Sequence, residues 1–249
     1  AVEYIRKNKE KPFFLYLAHN MTHNPLAASP AFKGKSANRL YGDATEELDW
    51  SMGEIFATLN EQGLSNNTIV IFTADNGADS NFGGSNIPLR GWKGTTYEGG
   101  FRVPCLVWYP PKIQAGKKNN AVVTSMDMLP TIAHYCHVGV PNDRIIDGHD
   151  VSGILEQNIS VSKTNVFYYY QKQQLQAVRW GKWKYHLSLQ ERIIGPHSPD
   201  TEVGVAQLYD LEADISESQN VVNKYPEVVD VFNNLISDVR YDMGDWNYE

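Results

Sequence analysis

The chain has 249 residues, of which 42% are hydrophobic and 12% aromatic, a composition that supports a globular fold and excludes a disordered one. Its net charge of −7 disfavours nonspecific nucleic-acid binding, because no excess of cations exists to neutralise phosphates. No apolar stretch approaches the roughly 20 residues of a membrane span, so none is predicted. The two cysteines fit neither a zinc site nor a disulfide framework, and Cys105, in an apolar run, is predicted to be a buried thiol.

The first part of the chain alternates short apolar runs with polar loops and one amphipathic helix, which is typical of α/β proteins. The helix is predicted over 42–63, where apolar residues recur on one face. Asp43 or Thr45 is expected to cap its start, and Gly63 to terminate it. Short β-branched and aromatic runs suit strands buried on both faces of a parallel sheet. These strands are predicted at 13–18, 69–73 and 105–109.

From about residue 162 the pattern changes to short strands and tight turns. Gly181 and Lys182 suit a two-residue hairpin turn. A covering helix is predicted over 226–240, because apolar residues line one of its faces. The strands are predicted at 166–170, 176–180, 183–187 and 207–211, with an exposed loop at 195–204.

The predicted fold class is therefore α/β. It consists of part of a mixed, mostly parallel sheet flanked by helices, followed by a small antiparallel sheet with a covering helix. The predicted domains are 1–161, part of an α/β catalytic domain, and 162–249, a small α+β subdomain.

Two oxygen-bearing side chains, Asp75 and Asn76, follow the strand predicted at 69–73. In open α/β sheets, ligands bind beyond the carboxyl ends of the strands, which is where this pair falls. A carboxylate beside a carboxamide offers the hard oxygen ligands that calcium and magnesium prefer. The alternative is an ordinary turn of the Asp-Asn-Gly type, which ends a strand without binding anything.

Downstream, Lys93 lies in a glycine-rich loop over 91–100. Glycine lets the backbone approach a neighbour closely and adopt positive φ. A metal-ligand pair followed by a lysine on such a loop indicates an oxyanion site, although a lone loop lysine is usually solvated. Another loop, over 19–25, carries two histidines, of which His19 has no supporting motif and is taken as structural.

Three segments resemble the sulfatase family of the alkaline-phosphatase superfamily, in particular its arylsulfatase A and N-acetylgalactosamine-6-sulfatase group. They are FTADNG at 72–77, KGTTYEGGFRVP at 93–104 and the Thr-His-x-Pro pattern at 22–25. The resemblance runs from about Pro12 to the C-terminus. It covers the C-terminal half of such a protein.

The resemblance implies that Asp75 and Asn76 are ligands of calcium, in preference to magnesium. It implies that Lys93 and His23 contact the sulfate group and the departing oxygen. Glu98 and Arg102 match the family pattern as structural partners near the site. The family nucleophile is a formylglycine made from a Cys/Ser-x-Pro-x-Arg motif, which neither cysteine of this chain provides. We therefore expect the formylglycine in an N-terminal segment of the same protein, as a required partner of this chain, which alone should be inactive and not a self-sufficient fold.

The function that the resemblance implies is hydrolysis of a sulfuric ester, with a sulfated carbohydrate or aryl sulfate as substrate. It also implies a secreted, periplasmic or lysosomal location. Two alternatives stay open. One is a non-catalytic remnant that binds sulfated glycans, and the other is a phosphodiesterase or phosphonate hydrolase of the same superfamily. A Cys or Ser in the nucleophile motif would favour the sulfatase, whereas Thr would favour phosphoester chemistry.

Overall fold

A computed structural model describes residues 1–157, 159, 162–193 and 204–245. The chain divides into two compact units, the first comprising 1–72, 80–84 and 105–115, and the second 73–79, 85–104 and 116–249. The helices are α1 (Val2–Asn8), α2 (Arg39–Glu61), α3 (Glu98–Phe101), α4 (Met128–Tyr135), α5 (Ser152–Gln157) and α6 (Pro226–Met243). The strands are β1 (Val70–Thr73), β2 (Cys105–Trp108), β3 (Val166–Gln171), β4 (Gln174–Trp180), β5 (Trp183–His186) and β6 (Gln207–Asp210).

Some sequence predictions fall partly or wholly outside this description. The loop predicted over 195–204 lies outside the described residues except for Gly204. The domain boundary predicted between residues 161 and 162 stays a prediction. No helix in the described ranges is both long and apolar enough to cross a membrane.

The long helix α2 begins three residues before the predicted start, and the predicted role of Asp43 as its cap is wrong. Asp43 is buried within the helix and accepts hydrogen bonds from the backbone N–H groups of Gly34 (2.7 Å), Lys35 (3.0 Å) and Ser36 (2.8 Å). The donors at Ser36 and Gly34 hold the pKa of Asp43 below its ordinary value. Asp43 therefore fastens the preceding loop to the helix.

The end of α2 agrees with the prediction. Gly63 follows the C-cap residue Gln62 and has a positive φ of 69°. Its N–H donates to the Asn60 carbonyl at 3.0 Å, and the N–H of Leu64 donates to the Leu59 carbonyl at 2.8 Å. Glycine terminates the helix because it adopts this left-handed conformation without strain.

The core of the first unit lies between α1 and α2. Ile5, Ile55 and Leu59 are its buried members. Phe13 and Leu15 pack partly against this cluster, as does Trp108, whose ring meets that of Phe56 edge-on at 5.2 Å between centroids. The apolar stripe predicted for the helix thus forms a real core face.

The strand predicted at 13–18 does not form, and the burial predicted for the other two strands is wrong. Phe14 is 72% exposed and Tyr16 81%, because only the alternate side chains Phe13 and Leu15 reach the core. Within the described residues no strand pairs with 13–18. β1 and β2 form a two-stranded sheet in which Leu106 is 62% exposed and Cys105, predicted to be buried, is exposed.

The antiparallel sheet of the second unit agrees with the prediction. Its strand order is β3–β4–β5–β6, with every neighbouring pair antiparallel. Trp180 pairs with Trp183 across the two-residue turn, where Gly181 takes a φ of 56°. Helix α6 covers the sheet by burying Phe232, Ile236 and Val239 in one cluster with residues of β4, β5 and β6.

Candidate functional site

The turn after β1 carries Asp75 and Asn76 and is held against the glycine-rich loop. Gly77 donates its N–H to the carbonyl of Gly100 at 2.9 Å. A Cβ at Gly77 would lie 1.7 Å from the carbonyl oxygen of Gly99, so no larger residue fits without moving the backbone. The glycine therefore permits the close approach that brings the turn and the loop together.

A second set of contacts links this turn to the segment that carries Lys93. The backbone N–H of Lys93 donates to the Ala78 carbonyl at 3.2 Å. The Asn86 carboxamide accepts from the N–H of Ala78 (2.8 Å) and donates to the carbonyls of Ala78 (2.9 Å) and Gly91 (3.2 Å). The structure thus joins the backbones of two predicted site segments, and no motif in the sequence predicted that Asn86 bridges them.

The three predicted site side chains of the second unit are available to a ligand. Asp75 is exposed, whereas Asn76 and Lys93 are half-buried. Within the described residues, none of their side chains makes a hydrogen bond or an ion pair. The same residues contain no group of three or more His, Cys, Asp or Glu side chains that could hold a metal ion. The turn therefore offers two oxygen ligands, and calcium generally takes 6–8.

His23 lies in the first unit, on an exposed turn. Its backbone N–H donates to the carbonyl of Asn20 at 3.1 Å, which closes the turn. The ring nitrogen Nδ1 lies 2.8 Å from the carbonyl oxygen of Asn24. Because a carbonyl oxygen only accepts, Nδ1 carries the proton, and Nε2 is left to exchange a proton with a ligand.

Behind the glycine-rich loop, Glu98 anchors a buried network of charges. Its carboxylate accepts hydrogen bonds from Lys184 Nζ (2.9 Å), Tyr169 Oη (3.0 Å) and Arg179 Nη1 (3.3 Å). Lys184 also lies 3.2 Å from a carboxylate oxygen of Glu217. The other oxygen of Glu217 accepts the backbone N–H of Glu98 at 2.7 Å. The first residue of α3 is thereby fixed through both its backbone and its side chain.

The network balances its charges although it is almost fully buried. Burial acts to raise the pKa of Glu98, but attraction and hydrogen bonding by Lys184, with help from Arg179, hold it below its ordinary value. Burial likewise acts to raise the pKa of Glu217, but Lys184, His186 and the backbone N–H of Glu98 together hold it below its ordinary value. Two carboxylates thus face two cations, in agreement with the structural role that the sequence indicates for Glu98.

Contacts to β6 secure the loop from a second direction. The guanidinium of Arg90 lies over the Tyr97 ring, 4.2 Å from its centroid, and donates to Tyr209 Oη at 2.9 Å. Tyr97 Oη donates to the Gln207 carboxamide at 3.2 Å. These partners lie more than a hundred residues apart in sequence, so no local pattern could have predicted them.

His186 makes the stability of this network dependent on pH. It is fully buried, with Nε2 3.1 Å from a carboxylate oxygen of Glu217. Burial and the positive charges of Lys184 and Arg192 lower its pKa to about 4, although Glu217 acts to raise it. The unfolded chain binds a proton below about pH 6.5, whereas the folded chain binds it only near pH 4. Stability should therefore fall between these values, by at most about 3 kcal/mol from this group.

Chemical denaturation of the natural protein at several pH values between 7 and 4 measures this effect. We expect His186→Gln to lose less stability over that range than the wild type, because glutamine can still bond to Glu217 but does not titrate. His134→Gln is the control, since His134 is exposed on the surface, where its Nδ1 lies 2.9 Å from a carboxylate oxygen of Asp150. Identical pH profiles for the wild type and His186→Gln would contradict the prediction.

The chain is similar to known proteins in both fold and sequence. A protein of Bacteroides thetaiotaomicron, solved in work on the metabolism of multiple glycosaminoglycans, aligns with 96% of this chain and 52% of its own length, at a TM-score of 0.85 and 31% identity. The fold is the alkaline-phosphatase-like α/β fold of sulfatases, with its small C-terminal antiparallel sheet and helix. The sequence model of the sulfatase family matches residues 1–138, and that of the N-sulphoglucosamine sulphohydrolase C-terminal region matches 91–242. The chain belongs to the sulfatase family.

Curated relatives agree with this assignment. The chain is 40% identical over 188 residues to the steryl-sulfatase of Homo sapiens, covering 72% of this chain and 32% of that protein. It is 39% identical over 193 residues to the N-acetylgalactosamine-6-sulfatase of Rattus norvegicus, covering 75% of this chain and 36% of that protein. The chain thus spans about a third of the length of the curated relatives it matches. This agrees with the resemblance to a C-terminal portion of the family that the motifs indicate.

Proposed function

We propose that the protein hydrolyses sulfuric esters and that this chain supplies the calcium-binding and leaving-group side of the active site. The observation that supports this most is the joined backbone of the Asp75–Asn76 turn and the Lys93 loop. Their three polar side chains make no hydrogen bonds or ion pairs with other described residues.

The oxygen ligands on the Asp75–Asn76 turn are of the kind that a hard cation prefers. Asp75 and Asn76 provide a carboxylate and a carboxamide oxygen, with no internal partner competing for them. Calcium bound there would act as a Lewis acid toward the sulfate oxygens. The remaining ligands and the formylglycine nucleophile are proposed to come from an N-terminal segment of the same protein, because these 249 residues contain no Cys/Ser-x-Pro-x-Arg motif.

Lys93 is proposed to stabilise negative charge on the sulfate and the departing oxygen, and His23 is proposed to donate a proton to that oxygen. The ammonium group of Lys93 is placed on a loop fixed by backbone contacts, so it can hold a sulfate oxygen and the departing oxygen with little reorganisation. The Nδ1 proton of His23 is held by the Asn24 carbonyl, so that Nε2, when the ring carries a second proton, can deliver that proton to the departing alcohol oxygen and return to its unprotonated state.

A sulfated carbohydrate is the proposed substrate. One relative is named for N-acetylgalactosamine 6-sulfate, and the structural relative belongs to glycosaminoglycan metabolism. The steryl-sulfatase relative shows that a different alcohol occurs in the family, so likeness alone does not choose between them. By family resemblance, we infer that the protein is secreted, periplasmic or lysosomal.

The activity is tested by assaying the purified natural protein against 4-nitrophenyl sulfate, bis(4-nitrophenyl) phosphate and N-acetylgalactosamine 6-sulfate. We expect calcium-dependent release of sulfate and little release of 4-nitrophenol from the phosphodiester. Preferential hydrolysis of the phosphodiester would favour a phosphodiesterase instead. Binding of the sulfated sugar without turnover would favour a non-catalytic glycan-binding protein.

Asp75→Ala should remove calcium binding and activity together, because the cation would lose the carboxylate ligand that this chain provides. Calcium titration by isothermal calorimetry and sulfate release are measured on the same preparation. Asp230→Ala, which removes an exposed carboxylate from α6, is the control and should change neither. Calcium affinity that is unchanged in Asp75→Ala would sink the assignment of the metal ligand.

A further inference from the structure

A cavity of about 430 Å³ opens in the first unit between the His19–Asn20 loop and helix α2. Its volume is within the range of small-molecule sites, about 300–1,000 Å³. One wall is the indole of Trp50, which is 51% exposed and braced by the Phe32 ring at 5.7 Å between centroids. Ala27 also lines the cavity. A half-exposed indole beside small side chains leaves room for a flat, amphipathic ring.

Three polar groups that line the cavity keep hydrogen-bonding capacity for a ligand. Glu47 uses one carboxylate oxygen to accept the N–H of Ser29 at 2.8 Å, and its other oxygen has no partner within the described residues. The carboxamide of Asn20 likewise has no partner there. The Ser51 hydroxyl donates to the Leu48 carbonyl at 3.0 Å and therefore accepts from His19 Nε2 at 3.3 Å, which leaves Nδ1 of His19 as an acceptor.

The charge around the cavity selects against an anion. Glu47 lines it directly, and Glu46 and Asp49 lie on the same stretch of α2. No lysine or arginine is among the residues that line the cavity. Partial burial lowers the pKa of His19, so its ring is neutral at neutral pH and does not offset these carboxylates. A sulfated ring would be repelled here, whereas an uncharged polyol would not.

The cavity and His23, the candidate leaving-group histidine, share one turn of the chain. Asn20 and Met21 line the cavity, and the Asn20 carbonyl accepts the backbone N–H of His23. One four-residue turn therefore carries both a wall of the cavity and the imidazole proposed to protonate the departing alcohol. A ligand in the cavity would therefore lie against the same turn of the chain that carries this imidazole.

We propose that this cavity binds an uncharged pyranose ring of the substrate glycan, next to the sulfated residue, with its C–H face on Trp50 and its hydroxyls on Glu47, Asn20 and His19. The indole face is electron-rich and attracts the polarised C–H groups of a sugar ring, while the polar groups satisfy its hydroxyls. This inference rests on the proposed function for the identity of the neighbouring sulfated sugar. It makes the protein selective for glycans over isolated sulfated monosaccharides.

The kinetic test compares N-acetylgalactosamine 6-sulfate with a disaccharide that joins the same residue to an uncharged galactose. Trp50→Leu removes the stacking surface, and Ala27→Phe fills the cavity without removing a polar group. Both variants should raise KM for the disaccharide about tenfold, which corresponds to about 1.4 kcal/mol, because buried tryptophan contacts are among those that contribute most to binding. KM for the monosaccharide and kcat for both substrates should stay within about twofold.

Tyr241→Ala, which removes a 96% exposed ring from α6, is the control and should change neither KM. Equal losses on monosaccharide and disaccharide in Trp50→Leu and Ala27→Phe would overturn the proposal. So would unchanged kinetics on both substrates.

A binding measurement separates failure of this inference from failure of the proposed function. Saturation-transfer NMR with methyl β-galactoside, methyl β-glucoside and N-acetylglucosamine needs no turnover. Transfer to at least one sugar should occur in the wild type and in Tyr241→Ala, and be lost in Trp50→Leu and Ala27→Phe. An inactive protein that shows this pattern supports the site although it is no sulfatase. An active sulfatase with the same transfer in all four proteins, or none in the wild type, refutes the site alone.

Discussion

Alkyl sulfates should be hydrolysed about 10²–10⁴-fold more slowly when His23 is replaced by alanine and about 10²–10³-fold more slowly when Lys93 is replaced, because proton donation and charge stabilisation typically contribute these factors. Activated aryl sulfates should lose far less. A nitrophenolate leaves as a stable anion and needs neither a proton nor a cation to assist it. The ratio of kcat/KM for the two substrates therefore measures assistance to the departing oxygen, separately from binding of the sulfate.

Two surface variants control for loss of charge and of imidazole elsewhere. Lys118→Ala removes an exposed lysine, and His134→Ala removes an exposed histidine that contacts Asp150. Neither should alter the ratio. If His23→Ala and Lys93→Ala lower kcat/KM by the same factor on alkyl and aryl sulfates, the two residues position the sulfate and do not assist the leaving group.

The C-terminal sheet and helix could be predicted because their information is local. Gly181 and Lys182 determine a hairpin turn, and the apolar stripe of α6 specifies the face that covers the sheet. Both features depend on residues only a few positions apart. The predicted edges were off by one to three residues, as at β4, which begins at Gln174 and not at residue 176.

The strand predicted at 13–18 fails for a physical reason. An apolar run indicates that a segment prefers burial, but a strand forms only where a neighbouring strand completes its backbone hydrogen bonds. No such neighbour occurs among the described residues, and Tyr16 remains 81% exposed. β1 and β2 form because they pair with each other in a two-stranded sheet, although Leu106 on β2 is exposed to solvent.

In the candidate site, too, residues in local motifs could be predicted, whereas long-range contacts could not. Asp75, Asn76, Lys93 and His23 were found from motifs, and their catalytic and metal-binding roles stay predictions. What holds the Lys93 loop in place was not found, because Lys184 and Glu217 are 86 and 119 residues from Glu98 in the chain. The signal in the sequence was a lysine between two aromatic residues of a predicted strand, because a lysine that such a strand buries almost always needs an ionic partner.

Lys184→Met should lower the free energy of unfolding of the natural protein by about 3–5 kcal/mol, because removing one partner of a buried ion pair leaves the other charge uncompensated. The side chain of Lys184 is fully buried between Glu98 at 2.9 Å and Glu217 at 3.2 Å. Methionine keeps its approximate length and fills its space but carries no charge. The pKa values of both carboxylates should rise, so the loss should be smaller at low pH, where they become protonated.

Denaturant unfolding at pH 7 of single and double variants distinguishes the network from a general packing defect. Lys182→Met is the matched control, since Lys182 is next but one in sequence and pairs with Asp210 at 2.6 Å on a partly exposed surface. Such surface pairs contribute about 0–1 kcal/mol. Glu217→Gln combined with Lys184→Met should cost less than the sum of the single changes, because the orphaned carboxylate is removed with its partner. Additive losses would show that Lys184 acts through packing alone, and the proposed electrostatic anchoring of the Lys93 loop would have to be abandoned.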